Sequence, residues 1–216
     1  MGIFDFNEDS PIIVEDFMDS KIYYIDNFFK NPDGIVDFLY DTPGYVHHPS
    51  FIPSGMKDRN CIDFLDKRHE FTINGIDKVN KYLSNICGQK SFYDPRCLMS
   101  NMTRFFNTQF NDYENKYWWP HCDDGYNGII YLNKDDISCG TNLYNLDNLD
   151  TTIDEEYEHS HPWRSKKHYS ILKSIEPVYN RCVLFDGLKF LHGMNICNDK
   201  YFSDIFRLNL AFFYCP

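Results

Sequence analysis

Two stretches of this sequence carry side chains suited to gripping one cation. In Trp118-Trp119-Pro120-His121-Cys122-Asp123 an imidazole and a carboxylate stand two positions apart. In an extended chain residues i and i+2 project to one side, so both can touch a single ion. A second histidine, His192, follows the apolar run Val183-Leu184-Phe185, at Phe190-Leu191-His192-Gly193. Two imidazoles and one carboxylate on one face of an octahedral divalent ion leave its other positions open for a co-substrate and O2. Zinc accepts the same donor types, so the ligands alone leave the metal undecided. A rival pair, His159-x-His161, lies in a polar stretch with no buried strand after it and reads as surface.

A third chemical signal sits near the end of the chain. Phe206-Arg207-Leu208-Asn209-Leu210-Ala211-Phe212-Phe213 alternates, with Phe206, Leu208, Leu210 and Phe212 on one face and Arg207 and Asn209 on the other. An arginine within an apolar strand is costly unless paired, and its guanidinium fork matches a carboxylate. An internal ion pair and an exposed sheet face are the other readings of the same arginine.

The elements that must position these residues are mainly β. Lys21 to Ile25 reads as a strand. Asn31-Pro32-Asp33-Gly34 offers a cap and an early proline before the apolar positions Ile35, Val36, Phe38, Leu39 and Tyr40 of a short helix. Prolines 43, 49 and 53 with glycines 44 and 55 make 41–60 a loop that borders a site, and Val79, Tyr82, Leu83 and Ile86 predict a helix over 76–86. From Met99 onward we expect strands near 99–110, 117–121, 128–132, 141–144, 174–177, 181–185 and 206–214. Short strands punctuated by Gly, Asn and Asp turns suggest a sandwich or jelly-roll barrel. Residues 145–172 read as a polar insertion with some helix.

The length of 216 residues suits one domain, and 43% hydrophobic residues with 18% aromatics are enough for a packed core. A formal net charge of −11, with no strongly basic run beyond Arg164-Ser165-Lys166-Lys167-His168, weighs against nucleic acid as partner. The eight cysteines include no CxxC pair, which leaves zinc-ribbon and thioredoxin-like sites unsupported. No apolar run approaches a membrane span and the first residues lack a signal-peptide pattern, so we expect a reduced, cytoplasmic protein with no membrane partner.

Taken in order, His121-x-Asp123, Tyr131-Leu132-Asn133, Ser138-Cys139-Gly140-Thr141, Tyr179-Asn180-Arg181-Cys182-Val183-Leu184-Phe185, His192 and Arg207 resemble the core of the Fe(II)/2-oxoglutarate dioxygenase superfamily. Within it the prolyl hydroxylases are the most similar. The match runs from Met99 to Tyr214, and Lys21 to Tyr40 resembles the usual entry to that fold. Two departures stand out: the stretch between His192 and Arg207 is long, implying an enlarged loop over 195–203, and Cys139-Gly140 stands where many relatives have two glycines.

The resemblance implies a single domain over 1–216, mainly β with flanking helices. It comprises a double-stranded β-helix (jelly-roll or cupin-like) core over about 99–216, an N-terminal support over 20–98 and the insertion at about 145–172. It implies Fe(II) held by His121, Asp123 and His192, 2-oxoglutarate held through Arg207 with Tyr131 and Asn209, and ascorbate as reductant. The implied activity is hydroxylation of a peptide, protein or small molecule, with a prolyl residue or free proline as the first expectation. Trp118, Trp119 and Trp163 are either packed aromatics or a stacking surface for that substrate. A non-catalytic β-barrel binding protein is one rival. The other is a nucleic-acid demethylase of the same superfamily, whose final strand carries a further arginine where Phe213 stands here.

Overall fold

Alternation of side chains along the strands sorts this chain into layers. The computed structural model describes residues 2–41, 45–46, 56–63, 70–91, 98–105, 110–134, 139–148, 162–202 and 205–215. The chain opens with a hairpin of β1 (Ile12–Phe17) and β2 (Ser20–Ile25). Its two-residue turn, Met18 and Asp19, has both residues at positive φ, the geometry that matches strand twist. Helix α1 (Pro32–Asp41) follows, capped by Asn31, whose Oδ1 accepts from Gly34 N at 3.1 Å. Next come β3 (Tyr45–Val46), β4 (Met56–Asp63), α2 (Glu70–Cys87), β5 (Lys90–Ser91), β6 (Leu98–Phe105), α3 (Phe110–Asn115) and β7 (Lys116–Trp118). The rest is β8 (Tyr126–Tyr131), β9 (Thr141–Leu146), β10 (Trp163–Ser165), β11 (Tyr169–Ile175), β12 (Cys182–Asp186), β13 (Leu191–Met194) and β14 (Arg207–Cys215).

All the strand pairs among the described residues are antiparallel. A nine-stranded sheet runs β1-β2-β12-β8-β14-β6-β4-β3, with β5 paired to the end of β14; β11-β9-β13 and β10-β7 form two smaller sheets. One face of the large sheet presents Ile25, Ile130, Cys182, Leu184, Leu208, Leu210, Phe212 and Tyr214 to Ile35 and Leu39 of α1 and Ile76, Val79 and Leu83 of α2. The alternate residues Ile22, Tyr131, Val183 and Phe185 turn the other way and pack on Leu143 of β9 and Ile175 of β11. A third cluster gathers Phe105, Trp118, Cys139, Tyr201 and Phe202 at one end. The protein is thus mainly β with flanking helices, an antiparallel sandwich of the jelly-roll kind. None of its described helices is long and apolar enough to cross a membrane.

Several boundaries differ from those expected. The end of the expected loop, 56–60, together with 61–63 forms β4, because seven of its residues find partners on β6. Strand β1 is missing from the expectations because its residues are largely exposed and carry little alternation. The strand expected over 99–110 stops at Phe105, and Phe110 begins a short helix. The insertion proves to be partly strand: β10 pairs with β7 and β11 pairs with β9, while 149–161, including His159 and His161, lie outside the described residues. In the long stretch after His192, a single 3-10 turn at Lys200–Phe202 buries Tyr201 and Phe202 in the aromatic end cluster.

Candidate metal centre

The first two predicted ligands reach the site through a sharp change of chain direction. Strand β7 ends at Trp118, and Trp119 takes a φ of +40°, unusual for a residue with a Cβ. The chain then meets β13 at one isolated bridge, where His121 N donates to His192 O at 3.0 Å and His192 N donates to His121 O at 2.7 Å. Residues directly opposed in an antiparallel pair project to the same side. The two imidazoles therefore meet, with ring centroids 4.4 Å apart. Asp123 follows on the same side, its amide donating to Gly187 O at 3.0 Å. Gly193 permits the approach: a Cβ there would collide with the carbonyl oxygen of Trp118 and lie 3.0 Å from that of Trp119.

The ligand atoms of His121, Asp123 and His192 all lie within 4.8 Å of one another, so the three could hold one metal ion. His192 Nε2 is 3.1 Å from Asp123 Oδ2, and His121 Nε2 is 3.8 Å from it. Each imidazole uses its other nitrogen on a backbone carbonyl: His121 Nδ1 on Trp119 O at 2.7 Å, His192 Nδ1 on Phe190 O at 3.1 Å. A carbonyl can only accept, so both Nδ1 atoms carry the hydrogen. Both Nε2 lone pairs are thereby directed at the carboxylate, the arrangement of an oriented metal-binding histidine. Acceptors brought together in this way require a proton or a cation among them. Burial pushes the Asp123 carboxyl up, but the hydrogen bond and electrostatic pull of His192, the pull of His121 and the Asn127 amide outweigh it and hold the group at about 2. His192 is buried, while His121 and Asp123 are partly exposed, which leaves one flank open.

Farther along the same inner face lie the residues expected to hold a co-substrate. Arg207 is buried, with Nε donating to Cys139 O at 2.7 Å and Nη2 to Gly140 O at 3.2 Å. Its guanidinium carbon stands 5.9 Å from the centre of the Tyr131 ring. Among the described residues no carboxylate pairs with it. Tyr131 is buried and its hydroxyl shares a hydrogen bond of 2.8 Å with Thr141 Oγ1. Asn209 is buried opposite Tyr131 in the sheet register, and its Oδ1 finds no partner among the described residues. Trp118 and Trp163 pack edge to face at 5.2 Å within the aromatic cluster, and Trp119 lies 4.8 Å from the His121 ring.

Sequence reasoning missed Asn127. This buried residue of β8 donates from Nδ2 to Asp123 Oδ2 and lies 2.7 Å from His192 Nε2. The signal was present in the alternation: Asn127 shares the inward face of β8 with Ile129 and Tyr131, where a polar residue needs a partner.

No family model matches the chain, and no curated protein matches it. Among solved structures, a prolyl 4-hydroxylase from Phytophthora capsici aligns with a TM-score of 0.45 and 11% identity, over 88% of this chain and 57% of its own. The chain therefore spans little more than half the length of that protein.

Proposed function

We propose that this chain is an iron(II)- and 2-oxoglutarate-dependent oxygenase that hydroxylates a C–H bond, with a prolyl residue or free proline as the substrate class. The observation that carries the reading is the convergence of two Nε2 lone pairs and one carboxylate, with both Nδ1 atoms tied to carbonyls. That donor set suits iron(II) in a site that keeps positions open. The fit to the co-substrate rests on Arg207, a buried cation whose described partners are all neutral; such a charge is expensive to bury without an anion.

When bound, iron(II) and 2-oxoglutarate supply the oxidative chemistry, in which O2 is consumed, succinate and CO2 leave and the substrate gains a hydroxyl. The chain's own residues bind and orient. His121, Asp123 and His192 would hold the cation. Arg207, its fork aimed by the Cys139 and Gly140 carbonyls, would receive the far carboxylate, with the Tyr131 hydroxyl and Asn209 as polar neighbours. Val183, Phe185 and Leu143 make the wall that excludes water. The choice of a prolyl substrate is supported by the ordered residue pattern that resembles prolyl hydroxylases.

Purified protein incubated with Fe(II), ascorbate and 2-oxoglutarate is expected to release succinate, and proline-containing peptides are expected to gain 16 mass units (one oxygen). Absence of succinate formation, with no binding of 2-oxoglutarate to the metal-loaded protein, would make the chain a non-catalytic binding module. Products found only on methylated bases would reassign the substrate.

A further inference from the structure

We infer that Asn127 is a positioning residue of the metal centre, its carboxamide N–H fixing the oxygen that Asp123 turns toward the two imidazoles. The inference rests on the reading of His121, Asp123 and His192 as metal ligands. Asn127 projects inward from β8 and is 4% exposed. Its Nδ2 donates to Asp123 Oδ2, the same oxygen that lies 3.1 Å from His192 Nε2, and stands 2.7 Å from that nitrogen. Its own Oδ1 is buried without a partner among the described residues. Turning the amide over would set Oδ1 against a carboxylate oxygen and an imidazole lone pair, three acceptors together, so the N–H end is held inward despite the orphaned oxygen.

Space fixes the side chain as well as charge does. Gly187 lies behind it, where an added Cβ would come within 2.9 Å of both Asn127 Cγ and Oδ1. The same glycine accepts the Asp123 amide through its carbonyl, so one short segment backs both the ligand and the residue that orients it. A carboxylate oxygen has two lone-pair directions. A cation would take one and leave the other to the Asn127 N–H, whereas His192 Nε2 has a single lone pair and would give it up to the cation. On metal binding Asn127 would thus trade its His192 contact and retain Asp123, holding that ligand to one oxygen.

Cobalt(II) titration of the full chain tests this, because cobalt reports both affinity and ligand geometry in its visible spectrum. Asn127→Ala and Asn127→Leu, the second keeping the same branching at Cγ without a donor, are expected to weaken cobalt binding roughly 10- to 100-fold and to shift the absorption bands. A merely structural asparagine would change metal-free stability and leave spectrum and affinity alone. Wild-type affinity and spectrum in a folded variant would overturn the inference while leaving the metal centre intact. Failure of the wild-type chain to bind cobalt would remove both. Should neither variant fold, the Asn127 side-chain amide signals of the wild-type protein decide: protection from solvent exchange that survives zinc addition supports the role, and its loss overturns it.

Discussion

His121 and His192 are joined by a reciprocal pair of backbone hydrogen bonds, and their side chains take no part in that bridge. The scaffold that brings the two rings together therefore survives loss of either ring. We expect His192→Ala and Asp123→Ala to fold and to lose the cation. At a metal concentration of 100 times Kd the wild-type protein gains about 2.7 kcal/mol of stability, and neither variant gains it. Denaturant unfolding with and without chelator reads the difference; equal stabilisation of wild type and Asp123→Ala would place the metal elsewhere.

Acid titration of the metal-free protein gives a second test. The folded Asp123 carboxyl titrates at about 2, below its ordinary 3.8. A depressed carboxyl means that the unfolded chain binds the proton first as pH falls. The contribution is complete above 3.8 and disappears as pH drops toward about 2. Stability measured in chelator should fall more steeply across that window in wild type than in Asp123→Asn. Parallel curves would mean that the carboxylate gains nothing from its neighbours.

How much of this was legible beforehand depends on whether the signal was local. The layers of β8, β12 and β14 follow from strict alternation of residues such as Ile130 and Tyr131, or Val183 and Leu184, and the His-x-Asp spacing marks its own two ligands. Strand β4 was hidden because its existence depends on pairing with β6, well beyond any short window. Asn127 was hidden for another reason: Asn-Gly at 127–128 is a hairpin-turn signature taken alone, yet here it lies within β8, paired on both sides by β12 and β14. The meeting of His121 with His192 is a register between distant segments, which no local pattern encodes.

Arg207 separates metal from co-substrate. Arg207→Met should keep cation affinity, since the triad does not touch this side chain, and should abolish binding of 2-oxoglutarate to the metal-loaded protein. It also leaves the Cys139 carbonyl short of a donor, a cost of roughly 1–3 kcal/mol, while the Gly140 oxygen keeps the Asn195 amide. Lysine is not expected to restore binding, because a point charge cannot serve two carbonyls and a carboxylate as a planar fork does. Calorimetry with metal and then co-substrate reads the two affinities; unchanged co-substrate affinity in Arg207→Met would leave the arginine a purely structural cation.

Gly193 is where backbone meets backbone. An alanine there drives its Cβ onto the Trp118 carbonyl, an atom fixed by the chain rather than the movable end of a side chain. The bridge that carries both imidazoles must open to admit it. Gly193→Ala should cost at least about 2 kcal/mol, within the range for overpacking, and should weaken the metal centre together with the fold. A stable variant with full metal affinity would show that β13 can slide without consequence for the ligands.

Trp119 combines two opposing effects, and two substitutions separate them. Its φ of +40° carries the penalty that a Cβ meets in the left-handed region, about 1 kcal/mol, and that backbone turn aims the Trp119 carbonyl at His121 Nδ1. Its indole lies 4.8 Å from the His121 ring and belongs with the aromatic cluster. Trp119→Ala removes the indole and keeps the strain; Trp119→Gly removes both. The glycine variant should therefore be the more stable of the two by roughly 1 kcal/mol, and both should hold the metal within about tenfold of wild type, because the carbonyl that orients His121 is backbone. If alanine proves as stable as glycine, the backbone at 119 relaxes once the indole is gone. In that case the indole, by seating itself against His121, is what holds the turn in its left-handed form, and the alanine variant should also lose the His121 orientation and bind metal more weakly than the glycine one.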